Sequence, residues 1–281
     1  MPQGSCLCGD VAYRINGPLA EAHHCHCGFC RKEHGTPYAT YAMAQAADLE
    51  WLRGKDKLLR YESSPGFHRC FCGRCGSTMP GDEFQGLVFI PLGNIDGDPG
   101  VVPSSHIFAG SKAPWWNIND GLLQYDAFPD GVDAPVHPAR VPVDAPGRPR
   151  GSCLCGRVAF VINGEPVRAA NCYCGRCRKA RSAGHASNMF VRLGDLRFTR
   201  GQGELRQYKV PDARYFAQVF CGHCGSAMPR SDEGRDLAVI PLGSMDDDPP
   251  MLPQMHIFVS DKAAWIGIFD ELPQFAEGPP A

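Results

Sequence analysis

Seven cysteines occur twice in one order along this chain, and no other feature limits its folding so strongly. The first set is Cys6-x-Cys8, Cys25-x-Cys27-x-x-Cys30 and Cys72-x-x-Cys75. The second is Cys153-x-Cys155, Cys172-x-Cys174-x-x-Cys177 and Cys221-x-x-Cys224. The total of 15 is odd, and the chain opens without the basic and apolar leader of a secreted protein, so a disulfide framework is not expected. Cysteines one or two residues apart suit a metal instead, because two thiolates on one tight turn reach a single ion about 2.3 Å from each sulfur. Nearby glycines (Gly9, Gly28, Gly73 and Gly76, then Gly156, Gly175, Gly222 and Gly225) supply the backbone freedom such turns need. In a reducing cytosol, zinc is the metal expected in sulfur-rich tetrahedral sites, with iron or iron-sulfur as the minority alternative.

The repetition extends beyond cysteine. A shift of 147 overlays residues 4–32 on 151–179 with 18 of 29 positions identical. The shift then becomes 149, pairing FCGRCGSTMP with FCGHCGSAMP, and 150, pairing IPLG at Ile90 with IPLG at Ile240. We read a tandem duplication with one unit over 1–128, a proline-rich linker over 129–150 and a second unit over 151–281. Lys plus Arg number 28 against 30 Asp plus Glu, which argues against nucleic acid as a partner. The longest apolar runs, such as LVFIPL from Leu87, are too short for a membrane span, and a cytoplasmic protein is expected.

Each unit reads as mainly β with little helix. Short aromatic or β-branched runs predict strands at Val11–Ile15, Tyr38–Met43, Leu49–Leu52, Leu58–Tyr61, Leu87–Leu92 and His106–Phe108. Helical turns are expected only after Cys30 or near Lys112–Asn119, since 32 Gly and 25 Pro disfavour helix.

Seven ligands are one short of two tetrahedral sites, which predicts a site of four and a site of three in each unit. The terminal pairs, Cys6, Cys8, Cys72 and Cys75, would close the first unit as a long-range crosslink, with Cys153, Cys155, Cys221 and Cys224 doing the same in the second. Cys25, Cys27 and Cys30 remain, with Cys172, Cys174 and Cys177 as counterparts. Three thiolates leave a coordination position for water or substrate, as in catalytic zinc sites; a second structural zinc completed by another group is the alternative. A thiol entering such a position loses its proton more readily, and its thiolate can add to an aldehyde carbonyl to give a hemithioacetal. Arg31 and Lys32, with Arg178 and Lys179, follow the last ligand and are expected to bind substrate carboxylates.

The motifs G-x-C-x-C-G-x-V, C-x-C-x-x-C-R-K, F-C-x-x-C-G and P-x-x-H-I-F-x-x-x-K-A-x-W cover nearly all of both units. On them the sequence resembles the glutathione-dependent formaldehyde-activating enzyme family, which also includes centromere protein V. The resemblance implies two tandem zinc-containing β-tent domains. In each it implies a structural four-cysteine zinc and a second zinc on the C-x-C-x-x-C cysteines, giving four zincs per chain. It also implies a carbon-sulfur lyase that adds glutathione to formaldehyde to form S-hydroxymethylglutathione. A non-enzymatic zinc-stabilised binding module is the alternative, because function does not follow from fold.

Further positions are read against their counterparts. His26 becomes Tyr173, and His23 and His24 become Ala170 and Asn171, which disfavours a shared ligand role. His106 and His256 recur in an apolar strand; they read as hydrogen-bonded core histidines, with a substrate-side or acid-base role as the alternative. Lys112 and Lys262 read as solvated lysines, and Trp115 and Trp265 as core or pocket-wall aromatics. Cys70, matched by Val219, reads as a small buried apolar side chain, with oxidation or metal competition as the alternative. After C-R-K the first unit has Glu33-His34-Gly35-Thr36 and the second Ala180-Arg181-Ser182-Ala183; the missing glycine weighs against catalytic competence of the second unit. If fourteen thiolates held four zinc ions, the formal charge would fall from -2 to about -8.

Overall fold

A computed structural model describes residues 1–132, 136 and 149–278, so most of the stretch expected to be a linker lies outside the described residues. The first copy carries β1 (Gln3–Ser5), β2 (Ala12–Ile15), β3 (Ala22–Cys25), α1 (Gly28–His34), β4 (Ala39–Gln45), β5 (Leu49–Arg53) and β6 (Leu58–Ser64). It continues with β7 (Phe67–Cys72), β8 (Thr78–Met79), β9 (Leu87–Pro91), β10 (Ile95–Asp96), β11 (Pro103–Ile107) and β12 (Leu123–Gln124). The second copy carries β13 (Arg150–Ser152), β14 (Ala159–Ile162), β15 (Arg168–Cys172), α2 (Gly175–Arg181), β16 (Ala186–Arg192) and β17 (Leu196–Arg200). After these come β18 (Leu205–Lys209), β19 (Ala217–Cys221), β20 (Arg230–Asp232), β21 (Leu237–Pro241) and β22 (His256–Ile257).

The chain is mainly β, as expected. Three sheets form in the first copy, ordered β10-β1-β2-β5, β12-β11-β3-β4-β9 and β6-β7-β8, and the second copy repeats the plan in slightly reduced form. In the five-stranded sheet β3 runs parallel to β11, with His24 opposite His106 and Cys25 opposite Ile107. That pairing brings the C-x-C-x-x-C turn and the H-I-F motif together. The helix expected after Cys30 is α1, but Lys112–Asn119 forms no helix: Pro114 denies it a backbone donor, and a single 3-10 turn at Ala109–Ser111 precedes it.

Each copy has its own apolar core, and each core takes in side chains from the other copy. Val11, Tyr13, Ile15, Val88 and Ile90 share the first with Tyr173, Trp265 and Ile266. Phe29, Tyr61 and Trp115 pack against the second. The recurrent I-P-L-G turn is a point of close backbone approach. A Cβ added to Gly243 would lie 2.3 Å from Thr36 N, and one added to Gly93 would lie 2.1 Å from Ala183 N, so only glycine lets the two backbones meet. Helix α1 ends in Gly35 at φ 66, while α2 ends in Ser182 at φ 51. Ser182 thus takes the left-handed turn without glycine, and its hydroxyl donates to Thr78 O at 2.9 Å across the copies.

Candidate metal centres

The four-cysteine groups assemble from two distant turns. Val11 N donates to Cys6 Sγ at 3.3 Å and Gly9 turns the chain at φ 76, so Cys6 and Cys8 project from one loop. Gly76, at φ 73, does the same after Cys72 and Cys75. Leu7 N donates to Ser77 Oγ at 3.0 Å, which pins the two turns to each other, and Leu154 N with Ser226 Oγ at 2.9 Å repeats the pin in the second copy. The sulfurs of Cys6, Cys8, Cys72 and Cys75 lie within 4.8 Å of one another, as do those of Cys153, Cys155, Cys221 and Cys224. Neighbouring sulfurs are 3.4 Å (Cys6 to Cys8), 3.7 Å (Cys8 to Cys72) and 3.8 Å (Cys155 to Cys221) apart. Sulfurs about 2.3 Å from a central ion at tetrahedral angles would be about 3.8 Å apart, whereas a disulfide needs about 2.05 Å. All of these cysteines are free, and the donor set fits a zinc ion.

The three-cysteine groups sit at the start of the helices. Cys25 ends β3, Cys27 caps α1 and Cys30 lies in its first turn; Cys172, Cys174 and Cys177 repeat this around α2. The sulfurs of each trio converge within 4.8 Å, and no His, Asp or Glu joins either trio among the described residues. Cys30 N donates to Cys27 Sγ at 3.4 Å and Cys177 N to Cys174 Sγ at 3.4 Å. The middle thiol is therefore the most acidic of each trio. Hydrogen bonds from Cys25 and Cys30 hold Cys27 well below the ordinary thiol range, and those from Cys172 and Cys177 bring Cys174 down to about 3. Cys27 and Cys174 are partly exposed while their neighbours are buried. Phe108 and Phe258 cover the trios from the H-I-F motif, and both hold left-handed backbone at φ 57, a strained conformation for an aromatic residue.

The family model of the glutathione-dependent formaldehyde-activating enzyme matches residues 1–111 and again residues 148–261. The chain belongs to that family. Among solved structures, a crystal structure of a Rhodobacter sphaeroides protein is 22% identical, covering 44% of this chain and 98% of its own, with a TM-score of 0.29. None of the curated proteins compared with this member of the formaldehyde-activating family matches it.

In this formaldehyde-activating family member three of the cations after the third cysteine reach across to the other copy. Lys32 Nζ is buried and donates to Ser152 O at 3.1 Å and Ser244 O at 3.0 Å, and pairs with Asp246, all in the other copy. Lys179 Nζ reciprocates with Ser5 O at 3.0 Å, Asn94 O at 2.6 Å and Asp96 at 2.6 Å. Arg178 Nη1 donates to Gly93 O at 3.1 Å and Ile95 O at 2.9 Å. Lys32 and Lys179, expected to bind substrate carboxylates, thus bond backbone and aspartates of the opposite copy, and Arg178 bonds backbone there through Nη1 while its Nε is buried without a partner. Arg31 Nε is buried without a partner.

His106 and His256 are buried core histidines with both ring nitrogens engaged. His106 Nε2 meets Asp120 at 2.9 Å and its Nδ1 meets His26 Nε2 at 2.8 Å. His256 Nε2 meets Asp270 at 2.8 Å and its Nδ1 accepts from Tyr173 Oη at 3.0 Å. They line a small cleft between the copies together with Tyr38, Trp116 and Tyr173. The copies exchange partners here. The first has His26 and Tyr38 where the second has Tyr173 and His185, and Tyr38 meets His185 across the copies at 5.6 Å.

Sequence reading missed the charges behind the trios. Arg69 on β7 lies 3.9 Å from Cys30 Sγ and pairs with Glu33. The second copy has Gln218 and Ala180 at those positions and instead buries Arg181, which burial pulls down to about 10. An Arg three residues before the C-x-x-C pair was visible in the sequence, but nothing there joined it to a cluster about forty residues away. Cys70 is buried on β7 with its thiol raised to about 12 by burial, and it belongs to neither cysteine group.

Proposed function

We propose that the chain is a zinc-dependent carbon-sulfur lyase-type protein that binds glutathione at its three-cysteine centres and promotes the thiol's reversible addition to formaldehyde. In this reading units over 1–128 and 151–281 hold two zincs each, in a reducing cytoplasmic compartment where the thiols stay free. The observation that carries it is the pair of trios: three sulfurs converge, no fourth protein ligand joins them among the described residues, and the middle cysteine of each is partly exposed.

A zinc ion there would supply a Lewis acid that favours the thiolate of an entering thiol. The chain supplies the remaining requirements. Helix N–H groups fix Cys27 and Cys174 in orientation. Ile107 with Phe108, and Ile257 with Phe258, pack an apolar wall on the trio that keeps bulk water from one side. In the addition the sulfur–carbon bond forms as the carbonyl π bond breaks, and the thiol proton ends on the new hydroxyl; the reverse step restores thiol and aldehyde. The four-cysteine groups, each closed by four sulfurs from two distant turns, leave no ligand place for a substrate and hold the fold.

Exchange spectroscopy on formaldehyde and glutathione tests this proposal. The zinc-loaded protein should accelerate exchange between the free thiol and the adduct, and a Cys27→Ser plus Cys174→Ser protein should not. A fully zinc-loaded wild type that neither accelerates exchange nor binds glutathione would remove the proposal.

A further inference from the structure

The two trios share their sulfurs and differ in the charge behind them. In the first copy Arg69 is balanced by Glu33 and donates to Ser63 Oγ at 3.0 Å. His34 beside them is kept neutral by burial, its Nδ1 donating to Arg181 O at 2.6 Å. In the second copy His34 is replaced by Arg181, Glu33 by Ala180, Arg69 by Gln218 and Gly81 by Arg230. Arg181 Nη2 reaches the neutral Asn188 Oδ1 at 3.3 Å, while its Nη1 is buried without a partner. Gln218 Nε2 is likewise buried and unpartnered. Arg230 lies 3.6 Å from Asp232, which Arg235 also engages. Arg181 stands one helical turn after Cys177 on α2, so the two share a face of the helix. Arg31 and Arg178 occur in both copies and cancel from the comparison.

The buried charges near the first trio thus sum to zero, and those near the second leave a cation without an anion. A divalent ion on three thiolates carries a net charge of about -1, and an entering thiolate adds a second negative charge. Buried charges of opposite sign compensate one another far more strongly than exposed ones do. We propose that the three-cysteine centre of the second copy is the one that takes an anionic thiol, and that Arg181, with Arg230, sets this preference. The inference rests on the proposed thiol chemistry and reverses the ranking suggested by the missing glycine after C-R-K, whose turn Ser182 makes unaided.

Cobalt-substituted full-length protein tests the preference through the visible bands of the metal, without turnover. Cys27→Ser leaves only the second trio intact and Cys174→Ser only the first. Titration with glutathione should shift the bands of the Cys27→Ser protein at concentrations about tenfold lower than those of the Cys174→Ser protein. S-methylglutathione, which has no thiol, should shift neither. In the Cys27→Ser background, Arg181→Met should raise the midpoint about tenfold and Arg181→Lys should restore most of the loss. Arg230→Met should raise it in the same direction and serves if Arg181→Met does not fold. Equal midpoints for the two single-centre proteins, or no effect of either methionine substitution, would overturn the preference and leave the thiol reading standing. A wild type whose bands do not respond to glutathione would overturn both.

Discussion

Lys32 of the first copy donates to the backbone carbonyl of Ser244 in the second at 3.0 Å, deep in the contact between the two. Its ion-pair partner Asp246 is equally buried, so the interaction is both directional and shielded from water.

Removing one member of such a pair leaves the other buried and unpaired. Lys32→Met should lower the stability of the zinc-loaded chain by about 3 kcal/mol in urea unfolding. The exposed Lys55→Met change should move it by less than about 0.5 kcal/mol.

The I-P-L-G turns give a steric counterpart. Gly243→Ala places a methyl 2.3 Å from Thr36 N, and backbone cannot yield there as a flexible side chain would. We expect a loss of about 3 kcal/mol in thermal unfolding. Gly203→Ala, where nothing lies within 4 Å, should be close to neutral.

Acid should act through His185. An unfolded histidine titrates near 6.5, and burial holds His185 at about 3 in the fold. Between those values the unfolded chain binds a proton that the folded chain does not. The stability is therefore fully present above pH 6.5 and is lost as pH falls toward 3. Denaturant midpoints measured across this window should fall less steeply for His185→Phe than for wild type, the difference isolating this residue from acid release of metal.

The two kinds of cysteine group should separate under mutation. Cys72→Ser should abolish the cooperative melt of the first copy, because its sulfur meets that of Cys8, 64 residues away. Cys27→Ser should keep the fold and lower bound zinc from about four to about three per chain, read by metal analysis beside circular dichroism.

Cys70→Val should be nearly silent, within about 1 kcal/mol in melting temperature analysis, since Val219 fills the matching place. In the native protein a thiol reagent should leave Cys70 unmodified, as burial keeps it protonated and covered.

The ligand groups were legible because metal binding leaves a spacing signature that survives without any knowledge of packing: each expected set of four and three converges in space. The strands at Ala39–Gln45 and Leu87–Pro91 were legible because short runs rich in apolar, aromatic or β-branched residues mark them. Strands β3 and β7 were not, because Ala22–Cys25 reads AHHC and Phe67–Cys72 reads FHRCFC, where ligands and buried polar groups replace the apolar pattern. The role of Lys32 was illegible for another reason. A lysine beside a thiolate cluster looks like a substrate anchor until the chain's own second half is seen to occupy it.

The exchanged rings at the cleft bear on how the two halves pair. His26 with Tyr38 faces Tyr173 with His185, and the cross-contact of Tyr38 and His185 joins unlike residues. Two first halves laid together would oppose tyrosine to tyrosine and leave each half with the ring meant for its neighbour. At this contact the halves are therefore complementary rather than identical, each presenting the ring its neighbour lacks.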